Sequence, residues 1–153
     1  MTTPLPLQQE PSSIRRLNFS AVGVPVPQGS MKGFVTPSTG KVVLTSTSGQ
    51  KLKDWREIIY WSAYEACKEQ DFALIEGPCA VTAAFTLPRP FSRPLKYKHP
   101  DKKPDLDKIT RALLDGMTGV VYRDDAQVCS TNIVKKYPFG DERPGVSVIV
   151  TTL

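Results

Sequence analysis

The sequence is poor in histidine and cysteine, and this scarcity excludes several kinds of metal site. With one histidine, His99, it cannot form an HNH-type or other histidine-pair site. The three cysteines, Cys67, Cys79 and Cys129, are widely spaced and form no Cys-x-x-Cys or Cys/His pattern. Their odd number and apolar neighbours predict buried, reduced thiols in a cytoplasmic protein. We expect His99, which lies among lysines and prolines, to be a solvated loop residue.

Long apolar runs are also missing. The longest strongly apolar run, around Val146–Val150, is far shorter than the roughly 20 residues of a membrane-spanning helix. The first residues are rich in proline, glutamine and serine and lack the basic and apolar regions of a signal peptide. We therefore expect a flexible tail over residues 1–15 and one domain over residues 16–153, which is long enough to bury a core.

Acidic residues are outnumbered, 15 against 20 lysines and arginines, and the net charge is +5. The excess is concentrated in residues 88–104, where five prolines predict a loop and Asp101 is the only acid. The basic residues of this segment are Arg89, Arg93, Lys96, Lys98, Lys102 and Lys103. Such a loop favours contacts with DNA phosphates, although a solvated surface is the simpler alternative. Phe91 and Tyr97 lie between these charges and either anchor the loop or stack on bases.

Hydrophobic periodicity predicts the order β, hairpin, α, β, α, β, β. Predicted strands cover residues 16–27, 79–87, about Ala126–Lys136 and 145–152, and a hairpin covers 33–46 with its turn at 37–40. The clearest helix spans 48–70, with Ser48 as its N-cap and an apolar face formed by Leu52, Trp55, Ile59, Ser62, Ala63 and Ala66. A shorter helix is expected from about Asp107 to Gly116. This order predicts a single α/β (α+β) domain in which two main helices pack on a mixed β-sheet.

Two short segments concentrate aspartates: KPDLDKITRALLDG at residues 103–116 and YRDDAQV at 122–128. Pro104 favours an extended entry into the second helix, which would aim Asp105 and Asp107 to one side and Leu106 into the core. Asp107 would then begin the helix. Arg111, four residues later, would lie on the same helix face as Asp107.

Asp124 and Asp125 precede the next strand, and only one of this pair can face the same neighbours. Converging aspartates beside a cation are typical of sites that hold Mg²⁺ for phosphodiester cleavage, where the ion polarises the phosphoryl oxygen and activates water. The alternative is purely structural: Asp107 caps the helix, Asp105 lies in a turn, and Asp124–Asp125 form a solvated loop. Spacing alone leaves both interpretations open.

The ordered motifs resemble the RusA family of Holliday-junction resolvases, small endodeoxyribonucleases of bacteria and their phages. That family carries Lys/Arg-Pro-Asp-x-Asp-Asn-x-x-Lys, then Leu-Asp-x-Leu, then Asp-Asp-x-Gln-Val. The matching positions here are 103–105, 107, 114–115 and 124–128. Weaker similarity in VGVPVPQGSMKGF and KLKDWREII extends the resemblance over most of residues 18–150.

The resemblance implies a RusA-like homodimer that nicks four-way DNA junctions symmetrically in recombination and repair, with Mg²⁺ as cofactor and Mn²⁺ able to substitute. It places the catalytic, metal-binding carboxylates on Asp105, Asp107 and Asp125, and leaves Asp124 as a capping residue. The family asparagine is Lys108 here and the family lysine is Arg111. Because arginine effectively keeps its proton, we expect Arg111 to stabilise phosphate charge, with Lys108 as a candidate for the proton-donating role and a further DNA contact.

Two other functions fit the same residues. A catalytically silent DNA-binding protein would keep the fold and the basic surface, but it gains nothing from acids placed against phosphate. A structural Ca²⁺-binding domain would use the carboxylates and leave the basic loop unexplained. For the dimer, the apolar residues of the long helix, among them Trp55, Ile58, Ile59, Trp61 and Tyr64, cover more of its circumference than one core-facing stripe needs, which predicts an interface.

Overall fold

The computed structural model describes residues 13–29, 31–46 and 49–153. Six strands and two helices follow one another in the predicted order. The strands are β1 (Arg16–Val22), β2 (Met31–Val35), β3 (Val42–Ser46), β4 (Cys79–Thr86), β5 (Val128–Lys136) and β6 (Gly145–Thr152), and the helices are α1 (Gly49–Glu69) and α2 (Leu106–Met117). Within these described residues, neither helix has the length and apolarity needed to cross a membrane.

Four strands form a mixed sheet in the order β1-β6-β4-β5. β6 runs antiparallel to both β1 and β4, whereas β4 and β5 are parallel. Because parallel strands need a long crossover, the chain between β4 and β5 contains the basic loop and α2. β2 and β3 form a separate antiparallel hairpin, and its turn includes Gly40 at φ +65°. The predicted mixed α/β domain is confirmed.

Both helices contribute to one hydrophobic core against the sheet. α1 buries Leu52, Trp55, Ile59, Ala63 and Ala66, which are five of the six residues assigned to its apolar face. α2 buries Ile109, Ala112 and Leu113 at helical spacing. Along β1, burial alternates strictly, because successive strand side chains point to opposite faces of the sheet. The period of the apolar residues therefore determined both the type and the orientation of these elements.

The two helices approach most closely at Gly116. A Cβ atom at this position would lie 2.9 Å from Ile59 Cγ2 and 3.1 Å from Ile59 Cβ, closer than packed carbon atoms tolerate. Gly116 was predicted to end α2, but it is a buried residue inside the helix, and Gly119 at φ +88° forms the turn that follows. Close helix packing, rather than a turn, explains this glycine.

Several local predictions need correction. β1 ends at Val22 rather than near Pro27, and β5 begins at Val128, because Asp125–Gln127 form a short 3₁₀ turn. All three cysteines are free, as predicted, but of the three only Cys79 is buried: Cys67 is partly buried and Cys129 is exposed. Ser48 and residues 1–12 of the predicted tail lie outside the described residues. Arg15, at the end of that tail, hydrogen-bonds through its backbone to Thr152 and lies over the ring of Phe72 at 4.8 Å.

Candidate active site

The carboxylate of Asp105 is free of the helix that it precedes. Asp105 is the N-cap of α2 with an extended backbone (φ −67°, ψ 139°). An N-cap aspartate ordinarily accepts a hydrogen bond from the first helical turn, but this side chain makes no capping bond in the described structure. Instead, Lys108 Nζ lies 3.6 Å from Asp105 Oδ2. The exposed carboxylate is therefore available to a ligand rather than used by the helix.

α2 begins one residue earlier than the sequence suggested, at Leu106. Asp107 therefore lies in the first turn rather than starting the helix, near the positive end of the helix dipole. The expected extended path through residues 105–107 is wrong, because only Asp105 is extended. Leu106 is also 37% exposed and does not point into the core, since its direction follows the helix instead of strand alternation.

Arg111 is exposed one helical turn beyond Asp107. Among the described residues, its guanidinium forms no ion pair within 4.0 Å. Lys108, by contrast, lies beside Asp105. Lys108 and Arg111, the two cations of the first aspartate motif, therefore have different surroundings. Lys108 is held near a carboxylate, whereas Arg111 extends from the helix towards solvent.

Asp124 and Asp125 have separate roles in the turn before β5. Asp124 accepts a hydrogen bond from the Ala126 N–H at 2.8 Å, and Gln127 Oε1 accepts one from the Asp124 N–H at 2.9 Å. The Asp124 carboxylate also accepts from the backbone N–H of Gln127, and together with the bond from the Asp124 N–H to Gln127 this completes a capping box. The capping role expected for Asp124 is thus confirmed, and its carboxylate is occupied by the backbone. Asp125 is exposed and remains the member of the pair that can meet a ligand.

Asp125 lies close to two other carboxylates, those of Asp115 and Asp124. Its pKa is raised, first by desolvation and then by hydrogen bonding to and repulsion from the side chains of Asp115 and Asp124. Asp115 comes from the last turns of α2 and is also 3.9 Å from Arg56 Nη1 on α1. Asp115 thus meets residues of α1 and of the turn before β5, which are distant in sequence. Crowded carboxylates of this kind are relieved by a cation.

The structure does not gather the three predicted ligands into one cluster. Across residues 13–29, 31–46 and 49–153, no group of three Asp, Glu, His or Cys side chains has the arrangement of a metal site. Asp105 and Asp107 lie at the start of α2, whereas Asp125 adjoins Asp115 near its end. All three are exposed. The donor set still suits Mg²⁺, which takes oxygen ligands and usually binds one or two carboxylates together with water and substrate phosphate.

Gln127 was not assigned a role from the sequence, although it belongs to the Asp-Asp-x-Gln-Val motif. Its Nε2 donates hydrogen bonds of 2.9 Å to the carbonyl oxygens of Ile75 and Gly77. On the same stretch, Glu76 forms a two-pronged ion pair with Arg123, with distances of 2.6 and 2.8 Å. The turn that carries Asp125 is therefore fastened to residues 75–77, which precede β4.

The arginines of the basic loop are used largely within the loop. Arg89 Nη1 donates to the carbonyl oxygens of Pro94 and Tyr97, and its guanidinium lies 4.2 Å from the ring centre of Tyr137. Arg93 is paired with Asp101 and lies 4.1 Å from the ring centre of Tyr97. Tyr97 thus anchors the loop, which is one of the two alternatives that the sequence left open for its aromatic residues.

The lysines of the loop and one aromatic ring remain exposed. Lys96, Lys98, Lys102 and Lys103 are on the surface, as is His99, in agreement with its predicted place in a solvated loop. The ring of Phe91 is completely exposed, at 110% of its reference area. Under the loop lies a cleft of about 640 Å³ whose lining includes Lys102, Lys103 and Pro104. The surface beside the segment that precedes Asp105 therefore carries exposed lysine side chains.

Comparison with known proteins agrees with this arrangement. The sequence model of the endodeoxyribonuclease RusA family matches residues 24–151. The uncharacterized protein YqaN of Bacillus subtilis (strain 168) is 26% identical over 144 residues, which cover 88% of this chain and 94% of that protein. The family match includes both aspartate segments, the basic loop and three of the four strands of the sheet: β4, β5 and all but the last residue of β6. The chain belongs to the RusA endodeoxyribonuclease family.

Proposed function

We propose that this chain is a Mg²⁺-dependent, structure-selective endodeoxyribonuclease that resolves four-way junctions by paired symmetric nicks, working as a homodimer in DNA recombination and repair. The observation that carries the proposal is the carboxylate of Asp105. It stands at a helix N-terminus without capping the helix, two residues before the exposed Asp107 and two residues after the exposed Lys103. A DNA-binding surface gains no affinity from such acids, because they repel phosphate. A role in binding a metal ion that contacts phosphate accounts for these acidic residues.

Asp105, Asp107 and Asp125 would supply the carboxylate ligands for Mg²⁺, although Asp105 and Asp107 lie at the start of α2 and Asp125 lies near its end. When bound, Mg²⁺ polarises the phosphoryl oxygen and lowers the pKa of an attacking water. Asp124 is excluded from this set because its carboxylate caps the turn before β5. Asp115 crowds Asp125 and raises its pKa, and a bound cation would relieve the repulsion between the two carboxylates.

The basic residues act on the DNA. Lys96, Lys98, Lys102 and Lys103 neutralise backbone phosphates and bring the strand to the start of α2. Arg89 and Arg93 were expected to contact DNA as well, but their guanidinium groups bond within the loop and hold its shape. Arg111 stabilises negative charge that develops on the scissile phosphate. Lys108 is the candidate that donates a proton to the leaving oxygen, because lysine can lose a proton whereas arginine effectively cannot. Its ion pair with Asp105 holds its ammonium group at the proposed site.

A catalytically silent DNA-binding protein is the second candidate function. Two observations favour it: arginine replaces the family lysine at position 111, and the three carboxylates are not gathered among the described residues. Such a protein would bind branched DNA through the same lysines without cutting it. The two functions differ in one measurable property, which is strand cleavage in the presence of Mg²⁺.

The deciding experiment incubates the protein with a synthetic four-way junction and with a duplex of the same arm sequence, in Mg²⁺, in Mn²⁺, in Ca²⁺ and in a chelator. The proposal expects paired nicks in the junction with Mg²⁺ or Mn²⁺, no cleavage with the chelator, and little cleavage of the duplex. Binding to the junction without nicks under every condition would establish the silent DNA-binding protein. Stabilisation by Ca²⁺ without DNA binding would instead establish a structural calcium domain.

A further inference from the structure

We infer that Lys135 is a positioning residue that fixes the segment leading to Asp105; its consequence for cleavage rests on the proposed function. Lys135 lies on β5, opposite Phe85 of the parallel strand β4. Its Nζ donates a hydrogen bond of 2.8 Å to the carbonyl oxygen of Lys102 and one of 2.9 Å to that of Pro104. One ammonium group thus binds the two residues that flank Lys103 in the chain, and the second of them, Pro104, immediately precedes Asp105.

This contact connects two parts of the chain that are far apart in sequence. Lys135 is 33 residues from Lys102 and 31 from Pro104. The segment before Asp105 lies outside the strands and helices, so it has no ladder of backbone hydrogen bonds to hold it. Hydrogen bonds from a charged donor are stronger than those between neutral groups, and the bond to Pro104 is partly buried. The sheet therefore determines where the chain enters α2.

Contact with a DNA phosphate explains Lys135 less well. An ammonium group has three donors, and two of them are occupied by carbonyl oxygens of the same chain. The neighbouring Lys136 is held differently: its Nζ lies 2.6 Å from both carboxylate oxygens of Glu142. Two adjacent lysines on one strand thus have separate partners. Only Lys135 touches the segment that carries the proposed metal ligand.

The position of Asp105 relative to Asp107 depends on this segment, because Asp105 is the last residue before α2. Asp107 is held by the helix itself, whereas Asp105 is held on its N-terminal side by the chain that Lys135 binds. A displacement of about 1 Å at a catalytic group can lower a rate by about 100-fold. Loss of Lys135 should therefore separate DNA binding, which uses the loop lysines, from metal use and cleavage.

The test compares Lys135→Met with Lys136→Met, which removes the same charge from the next residue of the strand. Hydrogen exchange measured by mass spectrometry should accelerate within residues 102–109 in Lys135→Met, at the N–H groups of Lys108 and Ile109, which donate to the carbonyl oxygen of Asp105. The expected increase is about tenfold, the effect of losing a hydrogen bond from a charged donor. The other strands and α1 should exchange as in the wild type. Junction affinity in chelator should equal that of Lys136→Met. The Mg²⁺ concentration for half-maximal cleavage should rise, and the cleavage rate should fall by about 100-fold.

Lys135→Arg, which keeps a charged donor, should restore part of the protection of residues 102–109. If the methionine variant does not fold, Lys135→Gln, which also removes the charge, replaces it in the comparison. Unchanged exchange at residues 102–109 in the variant that folds would overturn the inference. Uniformly faster exchange over the whole sheet would overturn it as well, because Lys135 would then act on general stability. If the wild type cleaves no junction, the proposed function fails, while the exchange data still decide whether Lys135 holds this segment.

Discussion

Gln127 Nε2 donates a hydrogen bond of 2.9 Å to the carbonyl oxygen of Ile75, which is buried in the core. A second bond from the same nitrogen reaches Gly77, and Gln127 Oε1 accepts the Asp124 N–H. The amide thus uses its donors and its acceptor at once to hold the turn that presents Asp125. Through Gln127, the core fixes the position of a proposed metal ligand.

Replacement of Gln127 by glutamate should therefore impair cleavage more than folding. Glutamate keeps the acceptor for the Asp124 N–H but loses both donors, so its charge would face the carbonyl oxygens of Ile75 and Gly77. We expect junction cleavage to fall by about 10- to 100-fold, since the turn that carries Asp125 shifts. Single-turnover cleavage and a thermal melt measure the two effects. Wild-type cleavage by the folded variant would show that the hydrogen bonds from Gln127 to Ile75 and Gly77 have no catalytic importance.

Gly116→Ala should destabilise the fold where α1 and α2 pack against each other. The new methyl carbon would lie 2.9 Å from Ile59 Cγ2, and overpacking of this kind costs about 1–3 kcal/mol. Urea denaturation measures the loss. Gly77→Ala is the matched control, because a Cβ there meets nothing within 4 Å, and its stability should change by less than about 0.5 kcal/mol. Equal stability of both variants would contradict the close helix contact.

Neutralising Lys96, Lys98, Lys102 and Lys103 together should weaken binding to junction and to duplex alike. Each lost phosphate contact should lower the slope of log affinity against log salt by about 0.9. Fluorescence anisotropy over a range of salt concentrations measures the slope. The matched control replaces the same four lysines by arginine, which preserves the charge and should preserve the slope. If the neutralised variant keeps the wild-type slope, the loop is only a solvated surface.

The exposed aromatic face of α1 is the proposed dimer surface. Trp61 is 57% exposed, and its ring lies edge-on to that of Tyr64 at 5.5 Å, beside the 40% exposed Ile58. A two-fold dimer would present two identical sites to a junction that has two symmetry-related strands. Trp61→Arg should therefore reduce the mass seen in sedimentation to that of one chain and abolish paired nicking.

Phe139→Arg is the control for that surface, because Phe139 is also exposed, at 87%, but lies in the loop after β5. It should sediment as the wild type does, at about twice the mass of one chain. A wild-type protein that stays monomeric at the concentrations where it cuts junctions would disprove the dimer. Loss of dimerisation in Phe139→Arg but not in Trp61→Arg would instead move the interface away from α1.

Sequence periodicity predicted the elements of the fold because burial imposes it directly. The stripe on α1 and the alternation along β1 are local patterns with one structural solution. The direction of Leu106 was predicted wrongly because it depends on where α2 begins, and a shift of one residue changes the side that a residue faces. Asp105 and Asp107 were predicted to be metal ligands from motif resemblance, which carries information that their spacing alone does not contain.

Long-range partners could not be read from the chain. Asp115 meets Arg56 and Asp125, and Lys135 meets Lys102 and Pro104, through contacts that depend on the packing of α2 against α1 and on the pairing of β5 with β4. Nothing in the residues adjacent to Lys135 distinguishes it from Lys136, although their partners differ completely. Three-dimensional packing, rather than local composition, assigns the roles of these charged residues.

The most direct test of the proposed active site is the single-turnover cleavage rate of a four-way junction by four aspartate-to-asparagine variants. Asp105→Asn, Asp107→Asn and Asp125→Asn should each abolish cleavage in Mg²⁺ while binding the junction as tightly as the wild type or more tightly, because each loses a metal ligand and a charge that repels DNA. Asp124→Asn should keep cleaving, since an asparagine oxygen can still accept the Ala126 N–H. Full activity of Asp125→Asn together with an inactive Asp124→Asn would contradict the assignment.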